Sequence, residues 1–372
     1  MSATARVSWP RRILRSWSWV VPLAAIVLLV FVWERDLSWP MYLLTGVLLI
    51  GAVLAAVHHA EIVAHRVGEP FGSLVLAVAV TVIEVALIIT LILGKPEETH
   101  TLARDTVFAA VMITVNGIIG LSILIGGIKF TLPRFNREGA GSALALVATL
   151  TTLTLVVPTF TVSEPGARFT ESQLIFVAAV ALVLYGAFVF MQAGRHRDFF
   201  LPVGRGGEPI SEEDEHVAPP SGRTALLSLG LLLVALVGVV GLAKSVSPAI
   251  EVVVAGAGIP QSFVGVVVAL VVLLPEGMAA TKAALRNRLQ TSLNLGLGSA
   301  MASIGLTIPT LAVASFWLPA PLTLGLGPLQ IVLFMLTLLV ATLTLVPGRA
   351  TRLQGIVHLS IFAAFVFLAA QP

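Results

Sequence analysis

Eleven stretches of about 20 mostly apolar residues run through this chain, and they decide what it can fold into. Hydrocarbon offers a backbone no hydrogen-bond partners, so a segment of that length crosses a bilayer as a helix, which pairs its own amides and carbonyls. The predicted spans are 18–34, 40–57, 71–94, 106–127, 141–160, 171–193, 224–243, 262–283, 292–317, 324–346 and 351–370. A soluble domain has no use for 57% hydrophobic against 11% charged residues, or for a mean hydropathy of +1.01. The sequence therefore predicts an all-α polytopic membrane protein surrounded by lipid.

Loop charge orients the bundle. If the start that carries Arg6, Arg11, Arg12 and Arg15 is cytoplasmic, the outer loops hold only Arg35, Lys95, Arg104, Arg168 and Lys244, and the inner ones hold the other 17 of 22 Lys and Arg. A missed helix would have scrambled that partition. The N-terminus is thus expected inside and the C-terminus outside a cell inner (plasma) membrane. The formal charge of +3 reports orientation and gives no sign of nucleic-acid binding. No small-residue cleavage pattern follows Trp17–Trp33, so the first helix reads as retained. The lack of cysteine excludes disulfides and thiol chemistry.

The one long polar stretch divides the chain. It holds Glu208, Glu212, Glu213, Asp214 and Glu215 among Gly and Pro, and reads as a solvated linker without the ligand spacing of an EF-hand. The expected organisation is a basic N-terminus (1–17), an extra helix (18–39), a first five-helix repeat (40–193), the acidic linker (194–223) and a second five-helix repeat (224–372). Because five is odd, the second repeat crosses in the opposite sense. Secondary transporters use such inverted repeats, with a midplane site where the repeats meet.

Two solitary carboxylates mark the repeat. Glu84 lies inside Phe71–Leu93 and Glu276 inside Ser262–Thr281, where a charge is costly and is normally kept for function. Glu61, Gly68 and Pro70 precede the first as Glu251, Gly258 and Pro260 precede the second. Helical steps back from Glu84 give Thr81, Ala77 and Ser73, and from Glu276 give Leu273, Ala269 and Gly265. Close helix packing accounts for such small residues but not for the acids. Pro275 and Gly277 flank Glu276 and free a carbonyl one turn earlier, a good cation ligand; no such break adjoins Glu84. On the following helices, Asn116 with Gly120, and Ser299 with Ser303, are candidates to face the acids, weighed against ordinary interhelical hydrogen bonds.

These residues resemble a known family. Gly68-Glu69-Pro70-Phe71-Gly72-Ser73-Leu74 leading to Ile83-Glu84-Val85, then Arg104-Asp105, and later Pro275-Glu276-Gly277, are similar to stretches of the calcium/cation antiporter superfamily, above all its ChaA-type bacterial calcium/proton antiporters. The likeness runs from about Ala60 to Gln371. It implies cation/proton exchange at Glu84 and Glu276 as the shared metal and proton site, with Asn116 and Ser299 completing the ligand shell. Many relatives carry Gly-Asn-x-x-Glu at each acid. Here Thr81 offers a hydroxyl where the first asparagine would stand, and Leu273 offers no ligand.

The chemistry stands without the family. Ca2+ takes several hard oxygen ligands, and two carboxylates neutralise it in a low-dielectric site. Once it leaves, two bare carboxylates there do not both stay ionised, so protons take its place. The expected function is export of Ca2+ in exchange for H+ by alternating access, with no cofactor; Na+ or K+ on the same site is the alternative, since hard oxygen ligands suit either. An intramembrane hydrolase fits poorly, as the predicted spans hold no aspartate and one deep histidine. A channel would show filter loops or rings of charge. His358 is a candidate proton relay, weighed against a histidine bonded to a neighbouring helix. His58, His59 and His65 are expected at the interface, Asp105 as the cap of helix 4, and Glu61 and Glu251 as cation collectors or a structural pair. The sequence sets no oligomeric state.

Overall fold

The computed structural model describes residues 9–35, 37–68, 71–94, 100–194, 196–203, 219–318 and 321–372. The first eight residues of the basic N-terminus, Glu69 and Pro70 of the first repeat, and 204–218 of the acidic linker lie outside these. Eleven long helices follow in order among the described residues: α1 (Trp9–Val32), α2 (Trp39–Val67), α3 (Phe71–Gly94), α4 (Leu102–Phe130), α5 (Arg137–Thr159), α6 (Glu171–Ala193), α7 (Gly222–Gly256), α8 (Phe263–Leu285), α9 (Leu289–Ala314), α10 (Pro328–Leu345) and α11 (Arg352–Ala370). Ten are long and apolar enough to cross a membrane; the apolar part of α1, Ser16–Val32, is shorter. The chain is an all-helical polytopic membrane protein.

Several ends differ from the expected spans. α2 runs ten residues past 57 and α7 thirteen past 243, so Glu61 and Glu251 lie on helices rather than in loops. Hydropathy ends a span at its first charges, whereas the backbone ladder needs only local pairing and continues into the interface. Gly68 and Gly258, matched in the repeat, stop these two helices with φ of +78° and +67°, a left-handed conformation that glycine adopts without strain. The sequence places the start of helix 10 at 324; it starts at Pro328, and 321–327 are not helical, with Leu322, Leu324 and Leu326 buried. Gly325, Gly327 and Pro328 oppose a helix there. Leu326 N donates to Leu155 O (2.8 Å) and Thr159 Oγ1 to Leu326 O (2.8 Å), so the segment pairs with the end of α5.

The chain divides into two compact units. The first comprises residues 1–79 and 219–249. In it α1 lies against small residues of two helices: a Cβ at Gly241 would stand 2.4 Å from Leu29, and one at Gly51 3.0 Å from Val21. His59 is fully buried and its Nε2 lies 2.8 Å from Ser18 O, while His58 stacks edgewise with it and packs on Trp17. His58 and His59 therefore fasten α1 to α2.

The second unit comprises residues 80–218 and 250–372. α8 packs against α4 and α9, and α11 crosses α4 closely. A Cβ on Gly120 would stand 2.8 Å from His358 Cβ, and one on Gly355 2.6 Å from Leu124 N, so only glycine lets the two backbones approach. Gly120 thus serves the α11 crossing and does not face an acid. α4 is interrupted by a π-helical stretch, Ile113–Ile118, and α5 by another, Thr152–Val156. α4 starts earlier than expected, at Leu102. Asp105 is therefore inside the helix, buried to 4% exposure, rather than its cap; Thr101 holds the cap position.

Candidate functional site

The site is built around Glu84, the one ionisable residue of an otherwise largely apolar α3. Its side chain is 2% exposed. Ser303 Oγ donates to it, 2.7 Å from Oε1 and 2.6 Å from Oε2, and Thr307 Oγ1 donates to Oε2 at 2.9 Å. The two hydroxyls stand four residues apart, on one face of α9. Distances near 2.6 Å suit a hydroxyl bonded to an ionised carboxylate. Among the described residues no Lys, Arg or His forms an ion pair with Glu84. Two donors leave acceptor positions open on the carboxylate, and nothing fixed nearby neutralises its charge. Burial without a partner ion costs far more than two hydroxyls return.

Glu276 is placed differently. It lies on α8 next to Pro275; the helix runs on through the proline, which has no N–H and so leaves the Val271 carbonyl without its usual helical donor. The residue is half-buried, with Oε2 itself shielded, and Pro275 and Gly277 are half-buried with it. Among the described residues no three His, Cys, Asp or Glu side chains cluster. The remaining ligands of any cation held here are hydroxyls, carbonyls or water, as suits an ion that must leave again.

The other expected ligands divide. Ser303, expected as a secondary residue, is the principal partner of Glu84; Ser299, one turn earlier on α9, is half-buried and is not among its partners. Thr81 is buried at 6% exposure one turn before Glu84. Asn116, fully buried in the π-helical stretch of α4, is engaged elsewhere: Nδ2 donates to Thr337 Oγ1 at 2.9 Å, and Oδ1 lies 3.0 Å from His358 Nδ1. His358 Nε2 in turn lies 3.2 Å from Thr344 Oγ1. With Asn116 Nδ2 donating to Thr337, its Oδ1 accepts from His358 Nδ1–H, and Thr344 serves the other ring nitrogen. His358 is thus bonded to neighbouring helices, the ordinary reading of a lone membrane histidine, and it draws α4, α10 and α11 together.

Two features escaped the sequence reading. Thr307 continues the four-residue step Ser299, Ser303, and that spacing was its signal. Pro309 lies inside α9 beside it and, having no N–H, leaves the Gly305 carbonyl without its usual helical donor, as Pro275 does for Val271.

A family model described as sodium/calcium exchanger protein matches residues 37–194 and 227–371. The chain belongs to that family. It is an ion transporter of the calcium/cation antiporter superfamily, and its relatives are exchangers, not enzymes. A Sinorhizobium fredii protein, y4hA, named as an ionic transporter, is 46% identical over 365 residues, 96% of each chain. The sodium-potassium/proton antiporter ChaA of Escherichia coli strain K12 is 33% identical over 353 residues, 94% of each. Among solved structures, native YfkE superposes with a TM-score of 0.71 at 18% identity, covering 95% of this chain and all of that one, so the fold is shared.

Proposed function

We propose that this transporter exchanges a hard cation for protons across the plasma membrane, with Glu84 and Glu276 as the groups for which the two compete. The observation that carries the reading is Glu84: a carboxylate 2% exposed, held by two hydroxyl donors and paired with no fixed cation among the described residues. Left bare it is too costly to persist, so it takes either a proton or the transported ion. When a cation arrives, Ser303 and Thr307 can turn oxygen lone pairs toward it, since a hydroxyl both donates and accepts. When a proton arrives, the same hydroxyls keep a bond to the neutral acid. One site then serves both substrates in turn, and an empty, charged site does not cross, which couples the fluxes.

Calcium is the ion that two carboxylates neutralise, and two protons replace it at equal charge; with the N-terminus inside and the C-terminus outside, as loop charge orients them, the inward proton gradient drives its export. A second reading, Na+ or K+ for H+, is favoured by the 33% identical relative that is named for those ions, and by the unequal placement of the two acids, since one carboxylate suffices for a monovalent ion. Vesicles loaded in turn with calcium, sodium and potassium under an imposed pH gradient test both. Cation movement that follows the gradient and is lost in Glu84→Gln supports the exchange. Movement indifferent to the gradient refutes it, and the ion that responds picks the reading.

A further inference from the structure

Two arginines face each other where charge alone would keep them apart. The loop after α4 and the loop before α11 meet in a single antiparallel bridge, Arg134 opposite Arg349. Its hydrogen bonds are Phe135 N to Gly348 O at 3.0 Å and Ala350 N to Pro133 O at 3.2 Å, which flank the pair. That makes it the non-hydrogen-bonded kind of cross-strand pair, in which side chains stand closest, roughly 4.5 Å between Cα atoms. Like charges directly opposite are destabilising. Neither arginine has an ion-pair partner among the described residues; the nearby carboxylate, Glu138, is taken by Arg137 at 2.8 Å. Both are exposed, and Arg134 lines two adjoining cavities, one of about 320 Å³ shared with Lys129 and one of about 530 Å³ shared with Arg137 and Arg349. Lys129 Nζ is already fixed on Leu285 O, at the C-terminus of α8, 2.7 Å away.

We infer that this cradle binds a phosphate-bearing anion, and that the anion is the headgroup of an acidic phospholipid. An anion between Arg134 and Arg349 turns their repulsion into two charge-assisted contacts. The surroundings select lipid over free phosphate. Ile128, Leu132, Val346 and Leu353 stand on the adjoining helix ends and loops with exposures of 63, 36, 61 and 68%, an apolar margin for acyl chains beside a basic pocket. Basic pockets between helices on the positively charged face of a membrane protein suit acidic headgroups. The orientation rule explains why arginines lie on this face, but not why two of them occupy the closest paired position.

The test uses the full chain in detergent with phosphatidylglycerol or phosphatidylcholine added, or with inorganic phosphate, and reads melting temperature and lipid retention by native mass spectrometry. Phosphatidylglycerol is expected to be retained and to raise the melting temperature by several degrees, with no shift from phosphatidylcholine. Arg134→Gln is expected to weaken retention about fivefold, and with Arg349→Gln about thirtyfold, at the usual strength of a basic residue near an anionic surface. Lys282→Gln, a basic residue outside the bridge, is expected to leave retention unchanged. An equal shift from inorganic phosphate would make the ligand a free anion and overturn the lipid assignment. Equal retention by parent and double variant would overturn the site. So would a response that appears only once Glu212, Glu213, Asp214 and Glu215 are neutralised, since the acidic linker would then be the occupant.

Discussion

Glu84 and Glu276 hold matching places in a repeated sequence, and their surroundings differ. Around Glu84 a regular α3 and the hydroxyls of α9 leave a carboxylate 2% exposed with two donors on it. Around Glu276 the helix carries Pro275, which cannot donate to the Val271 carbonyl, and the residue is half-buried. The difference teaches that an inverted repeat duplicates a position without duplicating its chemistry. One acid is enclosed by side chains of the opposite repeat; the other gains an adjacent free carbonyl. The enclosed acid is suited to bind and release a charge out of contact with water, and the proline-bearing helix to supply a carbonyl oxygen to a larger ion.

The comparison is broken most forcefully by neutralising each acid. Glu84→Gln is expected to abolish proton-coupled cation flux in vesicles while the melting temperature holds, because the amide takes up no proton and brings no charge to neutralise the cation. Glu276→Gln should leave a reduced but measurable flux for a monovalent ion and none for calcium. Equal flux in the two variants for every ion would erase the distinction between the acids. Next in size is the α9 stripe. Ser303→Ala removes a hydrogen bond to a charged group, about 1.5–3 kcal/mol, and should raise the apparent KM for the cation roughly 10- to 100-fold; Ser299→Ala should stay near the parent value. If the two serines respond alike, the hydroxyl geometry at Glu84 is not what binds.

Smaller effects sharpen the contrast with the second polar cluster of the same unit. His358→Leu leaves Asn116 Oδ1 and Thr344 Oγ1 without their partner on the ring and is expected to lower stability by about 1–3 kcal/mol in thermal unfolding, with cation KM nearly unchanged. A large KM shift with normal stability would move Asn116 back into the ligand shell. Smallest is Pro275→Ala, which restores the helical bond to the Val271 carbonyl and removes one oxygen ligand. Flux should fall about fivefold, the value of a single net hydrogen bond, and only for the ion that uses Glu276.

Much of this was legible in the residues, for physical reasons. Apolar runs of bilayer length read as helices because hydrocarbon permits little else, and lone acids within them read as functional because their cost has to be offset. Ser303 was visible as a helical step from Ser299. Thr307 was not singled out, because a threonine in an apolar helix ordinarily bonds its own backbone, as Thr114, Thr151 and Thr154 do here. Asn116 was assigned to the acids since its partners, Thr337 and His358, lie more than 200 residues away. Asp105 reads as a cap in the sequence because hydropathy cannot locate a helix start that lies among charges. The ends of α2 and α7 lie among charges too, beyond what hydropathy marks.

Competition between the two substrates at Glu84 is the centre of the account, and the apparent KM for the transported cation as a function of pH on the side of cation binding tests it most directly. If proton and cation share the carboxylate, KM rises as pH falls while the maximal rate at saturating cation is preserved, and the rise disappears in any Glu84→Gln flux that remains. A KM independent of pH in the parent chain would contradict a shared site.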